Sequence, residues 1–292
     1  MVPIWRGKRR SARVRGVRRI RTVLLGALAA VLLVALAGTA LVLLPGPEAE
    51  AAAEPLPLPP DLPRLAAGPQ YDECLGLLRN DADGALAFAE TWDAAGGGEG
   101  AKHCAALALL ALGEAEKAGE RLETLGRLSR APSIARAAVY AQAVQAWMLA
   151  NQSGRAFAAA TMGLTIAPGD LDLMLDRAVA LGTLGRYQDA LEDLDRVLAT
   201  APDRAEAWVF RAAALRRLDR VPLAAEAVDR ALALAPENAE ALLERGIIRQ
   251  LRGDTRGARA DWERTIAIAP DSAAADLAQQ NLALNEAGPQ RR

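Results

Sequence analysis

Few side chains in this sequence could carry out catalysis or hold a metal ion. The 292 residues include one histidine, His103, and two cysteines, Cys74 and Cys104. His103 and Cys104 are adjacent, and neighbouring residues on a helix point about 100° apart, so they do not easily form a nucleophile–base pair. The sequence has no phosphate-binding glycine loop followed by Lys-Ser/Thr, no H-E-x-x-H and no G-x-S-x-G motif. We therefore predict a protein that is not an enzyme and has no catalytic, cofactor-binding or metal-binding residues.

The composition indicates helices rather than strands. Hydrophobic residues make up 52% of the chain but aromatic residues only 4%, and most of the apolar content is Ala, Leu and Val. Ala and Leu are strong helix formers, whereas aromatic and β-branched residues favour strands. We expect an all-α protein.

The N-terminal region has the features of a membrane anchor. Of the 35 lysines and arginines, nine lie in residues 1–22, which contain no acidic residue. Residues 23–44 follow without any charge and would span about 33 Å as a helix, against a hydrocarbon core of about 30 Å. Because basic residues flank the cytoplasmic end of a span, we predict a single-pass protein of a bacterial inner membrane, with a cytoplasmic head at 1–22 and a periplasmic body. This explanation of the basic run leaves no need for nucleic acid as a partner.

A cleaved signal peptide is the alternative to an anchor. Ala49-Glu50-Ala51 forms an A-x-A site just after the apolar run, and cleavage near Ala51 would give a secreted or free periplasmic protein. The apolar run is longer than the 7–15 residues typical of a signal peptide, which favours the anchor. Residues 45–69 are rich in proline and alanine and are predicted to form a semi-extended linker.

The body of the chain is a repeat array. Pro168, Pro202, Pro236 and Pro270 are spaced by 34 residues, and each follows an alanine. Within residues 171–204, small residues stand at positions 8 and 20 of the repeat and a leucine, Leu194, stands at position 24. This pattern resembles the tetratricopeptide repeat family, in which two antiparallel helices pack through large residues and approach most closely at the small ones.

The resemblance implies an α-solenoid of helix–turn–helix repeats over residues 70–286, behind the N-terminal transmembrane helix. The predicted repeats are 66–98, 99–132, 137–170, 171–204, 205–238 and 239–272, followed by a capping helix at 273–286 and a tail at 287–292. The register is weaker upstream of residue 137, where about four extra residues fall between repeats, and whether residues 70–98 form a full repeat stays open. The last repeat departs from the pattern at position 11, where Arg249 replaces a large apolar residue.

Two alternatives remain for the cysteines. Cys74 and Cys104 lie in the first helices of neighbouring predicted repeats, and these helices stack side by side. In an exported domain they could form a disulfide. Their positions within the two repeats differ by about one helical turn, so two buried free thiols are also possible.

The resemblance further implies that a concave groove, lined by the first helix of each repeat, binds a protein or peptide segment. Carried over by repeat position, the predicted groove is mostly apolar: Leu175, Val179, Val209, Ala213, Leu243 and Ile247, with Arg216 and Arg217 at the edge. The Lys/Asn carboxylate clamp of some relatives is missing. The same residues could instead pack against a neighbouring turn of the superhelix.

We therefore predict a membrane-anchored periplasmic scaffold or co-chaperone without a cofactor, of open oligomeric state. An assembly factor for an envelope or cytochrome-maturation complex is the further alternative.

Overall fold

The computed structural model of the protein describes residues 64–287, with side chains described to residue 285. The predicted head at 1–22, the predicted transmembrane segment at 23–44 and most of the predicted linker at 45–69 lie outside the described residues, as does the tail beyond 287. Among the helices that are described, none is both long enough and apolar enough to cross a membrane.

Every regular element within residues 64–287 is an α-helix, and there are thirteen of them. They are α1 Pro69–Leu77, α2 Ala82–Ala94, α3 Gly98–Ala111, α4 Ala115–Leu128, α5 Ser133–Leu149, α6 Ser153–Ile166, α7 Leu171–Thr183, α8 Tyr187–Thr200, α9 Ala205–Arg217, α10 Val221–Leu234, α11 Ala239–Leu251, α12 Thr255–Ile268 and α13 Ala273–Ala287. Consecutive helices pack on one another throughout, which gives six helix pairs and one final helix. The prediction of an all-α solenoid is confirmed.

Short turns join the two helices of each pair. Gly185 and Gly253 occupy these turns with φ of 76° and 83°, a left-handed conformation that glycine adopts without strain. Aspartate or asparagine caps several helix starts; the side chain of Asp170, for example, accepts hydrogen bonds from the amides of Asp172 and Leu173 at 3.0 Å. Turn and cap residues close to each helix end therefore set the helix boundaries within the 34-residue repeat.

The core uses small residues where the paired helices meet. Position 8 holds Ala178, Ala212 and Gly246, and position 20 holds Ala190, Ala224 and Ala258; all six are buried. Larger residues such as Leu181 and Leu215 fill the space between them and are 2% exposed. Interiors packed in this way tolerate little change of volume.

Buried ion pairs tie the two helices of a pair together. Arg177 on α7 binds Asp193 on α8 through two hydrogen bonds of 2.7 Å. In the last pair Asp261 accepts from Arg245 at 2.7 and 2.9 Å and from Arg249 at 2.8 Å. The departure from the repeat pattern at Arg249 therefore has a physical reason, since this residue is a second cation for a buried carboxylate.

The array differs in detail from the predicted repeats at the start of α5, and α13 covers its C-terminal end. The four residues expected as an insertion before residue 137 form the first turn of α5, which begins at Ser133 and is the longest of the described helices at 17 residues. At the C-terminal end of the array, α13 buries Ala274 and Ala278 against Trp262. The outward face of α13 carries Gln279 and Gln280 together with the exposed Leu277.

The first helices of the pairs lie on the inner side of the array. Helices α5, α7, α9 and α11 contact one another in succession, whereas no comparable contacts link the second helices α6, α8, α10 and α12. Elements that approach more closely on one side make a stack curve towards that side. A surface formed by α5, α7, α9 and α11 is therefore the concave one.

Candidate functional site

The structure divides the predicted groove floor into two sets of residues. Leu175, Val209 and Leu243, at position 5, are only 7–8% exposed because they pack between successive helices. Val179, Ala213 and Ile247, one turn later at position 9, remain half-buried. The accessible part of the predicted floor is thus the second set.

A cavity of about 270 Å³ opens between α7 and α9, and Tyr187, Ala190 and Leu194 of α8 form a further wall. Val179 and Gly182 line it from α7, and Phe210 and Ala213 line it from α9. Of the eight predicted groove residues, four reach this cavity: Val179, Ala213, Arg216 and Arg217. Polar and apolar groups contribute about equally to its walls, and Arg217 supplies a basic group, as suits a side chain of a polypeptide partner.

The two predicted edge arginines have different surroundings. Arg216 donates from Nε and Nη2 to the carboxylate of Glu244 on α11, at 2.5 and 3.1 Å, and Glu244 is itself buried. Arg217 is exposed, and its guanidinium lies 5.9 Å from the centre of the Tyr187 ring. Arg216 is therefore used inside the molecule, and Arg217 is available at the surface.

Asp176 on α7 is a site residue that sequence reasoning missed. Its side chain is half-buried, and no hydrogen bond or ion pair joins it to any other described residue. Burial, together with the nearby carboxylates of Asp172, Glu206 and Asp170, raises the pKa of Asp176 to about 6. The signal that could have found it is its position, because Asp176 lies 34 residues before Phe210 and 68 before Glu244.

His103 belongs to a polar chain that links three first helices. Its Nε2 lies 2.6 Å from Oε1 of Gln142 on α5, and its Nδ1 lies 2.5 Å from the hydroxyl of Tyr71 on α1. Since the amide oxygen can only accept, Nε2 donates to Gln142 and the Tyr71 hydroxyl donates to Nδ1. Burial lowers the pKa of His103, although the hydrogen bond to Gln142 opposes this, so the ring is neutral at pH 7.

The two cysteines are joined in the structure. Their sulfurs are 2.01 Å apart, and the Cα atoms of Cys74 and Cys104 are separated by 6.3 Å. The bond connects α1, the shortest of the described helices, to α3. Of the two alternatives left by the sequence, the structure has the disulfide.

A larger cavity lies elsewhere in the described residues. About 770 Å³ in volume, it is bounded by α2, α3 and α4 and lined by charged residues that include Glu90, Glu99 and Arg121. Much of this charge is already matched: Glu99 accepts from Ser129 at 2.6 Å, and Arg121 lies 3.5 Å from Glu90. The smaller cavity is the candidate site because two first helices, α7 and α9, line it.

Stacked helix pairs with small residues at their closest approach and a concave row of first helices define an α-solenoid repeat protein. Residues 210–283 and 175–239 match two family models, each described as tetratricopeptide repeat, and together the matches span 175–283. Residues 175–283 therefore consist of tetratricopeptide repeats. Repeats of this family typically mediate protein–protein interaction.

Several solved structures are similar to this chain. The Cut9–Hcn1 hetero-tetramer of the APC/C has a chain that is 17% identical, with a TM-score of 0.57, over 73% of this chain and 42% of that one. MamA from Desulfovibrio magneticus RS-1 is 18% identical over 71% of this chain and 100% of that one, with a TM-score of 0.49. YrrB, described as having an unusual peptide-binding site, is 18% identical over 75% of this chain and 100% of that one, with a TM-score of 0.47. The comparison with curated proteins gives no match.

Proposed function

We propose that the protein is a scaffold that binds a segment of another protein along the concave row of first helices. The observation that carries this proposal is the cavity of about 270 Å³ between α7 and α9, with apolar walls from Val179, Phe210 and Ala213. A partly exposed apolar recess on a concave helical surface suits a side chain of an extended or helical partner segment. Proteins built from these repeats are generally non-enzymatic.

The surroundings of the cavity favour a polypeptide over a small molecule. Ile247 on α11, at the same repeat position as Val179 and Ala213, is also half-buried, and the exposed Arg217 lies at the cavity. Binding would then be distributed over several shallow contacts rather than concentrated in one enclosed pocket. Such contacts are typical of extended concave surfaces in solenoid proteins.

We further propose that the scaffold is anchored in a bacterial inner membrane with its repeats in the periplasm. The support for this part is the sequence of residues 1–44: a basic segment without acids, followed by 22 uncharged residues. An anchor raises the local concentration of the repeats near membrane-bound partners and so strengthens weak contacts.

Photo-crosslinking in cells tests the groove. A photo-reactive amino acid replaces Val179 or Ala213 on the concave side, and Leu223 on α10, which is 44% exposed, serves as the matched control. We expect discrete protein adducts from the two concave positions and not from Leu223. Adducts only from Leu223, or the same adducts from all three positions, would place the binding surface elsewhere.

Membrane anchoring needs a separate experiment. The full chain expressed in bacteria is extracted with alkaline carbonate, and its N-terminus is sequenced. An anchored protein stays in the pellet with residues 1–44 intact. Release into the supernatant with a new N-terminus near Ala51 would establish the cleaved form.

A further inference from the structure

Four residues occupy one position on successive first helices. Gln142 on α5, Asp176 on α7, Phe210 on α9 and Glu244 on α11 are spaced by 34 residues, and we call them the position-6 row. Gln142 binds His103, Phe210 lines the groove cavity and Glu244 binds Arg216. Within the described part of the chain, Asp176 is the one polar member of the row without a partner.

The pair of Glu244 and Arg216 shows how the fold neutralises a carboxylate at this position. Arg216 belongs to the preceding first helix, 28 residues earlier, and reaches both oxygens of Glu244. The residue 28 positions before Asp176 is Met148, also on the preceding first helix. Met148 is half-buried, and its thioether cannot neutralise a charge. The cation that the repeat supplies to Glu244 is therefore missing at Asp176.

Neighbouring carboxylates further destabilise the charged form of Asp176. Asp172 and Glu206 are close enough to Asp176 to disfavour its charge, as is Asp170. Arg204 is engaged elsewhere, since it forms an ion pair with Asp172. A half-buried carboxylate among other carboxylates attracts a cation from outside the molecule.

We propose that the carboxylate of Asp176 binds the lysine or arginine side chain of a partner segment that lies in the groove. This inference rests on the proposed function and adds the chemistry of the partner: apolar residues for the cavity beside Phe210 and one basic residue for Asp176. A basic side chain of the partner complements the charge of Asp176, which lacks the guanidinium that Glu244 has in Arg216.

Selection of peptides tests the proposal directly. A phage-displayed library of random 12-residue peptides is selected on the full chain in detergent, and the selected peptides are synthesised with each arginine or lysine also replaced by neutral citrulline. We expect at least one basic residue in nearly every selected peptide. We also expect citrulline to weaken binding at least tenfold to the unchanged chain but no more than twofold to Asp176→Asn.

Two variants make the test specific to this position. Met148→Arg supplies the missing cation from within, as Arg216 does for Glu244, and should weaken peptide binding at least tenfold; Met148→Leu should leave it unchanged. Glu226→Gln, an exposed position on α10, alters the net charge as Asp176→Asn does and should also leave binding unchanged.

The outcomes separate this inference from the proposed function. If Ala213→Trp abolishes peptide binding while Asp176→Asn and the citrulline exchange change Kd less than twofold, the groove stands and the cation site is refuted. If neither Ala213→Trp nor Asp176→Asn has an effect, both proposals are refuted. A synthetic peptide of residues 1–22 is tested alongside; if it binds as tightly as the selected peptides and depends equally on Asp176, the occupant is the chain's own basic segment and the separate partner is refuted.

Discussion

The substitution Gly246→Ala tests how one repeat accommodates an unusually large core residue. Gly246 and Trp262 occupy, in residues 239–272, the positions that Ala178 and Leu194 hold in residues 171–204. A Cβ added at 246 would lie 2.3 Å from Nε1 and 2.6 Å from Cδ1 of Trp262. The indole is 2% exposed and its Nε1 donates to the carbonyl of Leu243 at 3.3 Å, so the ring has little room to move.

The expected cost follows from two opposing effects. Overpacking a core costs about 1–3 kcal/mol, and the upper end applies because a rigid, enclosed ring must shift. Replacing glycine by alanine inside a helix recovers about 1 kcal/mol. We expect Gly246→Ala to lower the free energy of unfolding by about 2 kcal/mol. In a Trp262→Leu background the clash is gone, and the same substitution should stabilise by about 1 kcal/mol.

Chemical denaturation of the full chain measures these free energies, and hydrogen exchange across α11 and α12 locates the change, since solenoids open in parts. The control is Gly182→Ala on α7, where no heavy atom lies within 4 Å of the new Cβ and a small gain is expected. We would be wrong that Gly246 leaves the room needed by the Trp262 indole if Gly246→Ala were as stable as the unchanged chain. The same holds if the substitution lost as much stability in the Trp262→Leu background.

Three further predictions concern the disulfide and two titrating groups. Replacing both Cys74 and Cys104 by serine should destabilise the α1–α3 region by about 3–4 kcal/mol through the entropy of the 30-residue loop, seen as faster hydrogen exchange there and unchanged exchange in α9–α12. Burial lowers the pKa of His103, so the unfolded chain binds this proton first and stability should fall as the pH drops below about 6.5; His103→Gln should flatten the urea midpoint between pH 7.5 and 5.5. Burial and neighbouring carboxylates raise the pKa of Asp176 from 3.8 to about 6, so the folded chain binds this proton first and stability falls as the pH rises through that range. Asp176→Asn should therefore stabilise the chain by about 1–2 kcal/mol at pH 7.5, after allowance for partial exposure, and not at pH 3.5.

The sequence predicted the repeat fold well because its signals are local and periodic. A proline every 34 residues and small residues at fixed positions constrain each helix pair through its own packing. The start of α5 was harder to predict, since residues 133–136 carry no proline or glycine to separate an insertion from an additional helical turn. Where the pattern broke at Arg249, its partner Asp261 on the next helix could not be assigned from spacing alone.

The candidate site was predicted less well than the fold. The family pattern places positions 5 and 9 on the groove side, but it does not say how closely successive first helices approach. That approach buries Leu175 and Val209 and leaves Val179 and Ala213 half-exposed. Asp176 was missed for a related reason: an unpaired carboxylate is recognised only when the residue facing it from the preceding helix is known.

The position-6 row also predicts the spacing of contacts along a bound segment. Packed helices lie about 8–10 Å apart, so Asp176 on α7 and Phe210 on α9, the far wall of the cavity, are separated by about one such step along the row. An extended segment advances about 3.3 Å per residue, which places its basic residue about three positions from the apolar residue that enters the cavity. A helical segment advances 1.5 Å per residue, and the same two contacts would then be about five to seven positions apart. Peptides selected on the full chain should share one of these two spacings, and its value gives the conformation of the partner. Basic and apolar residues at random separations would mean that binding does not follow the row, even if Asp176 contributes to it.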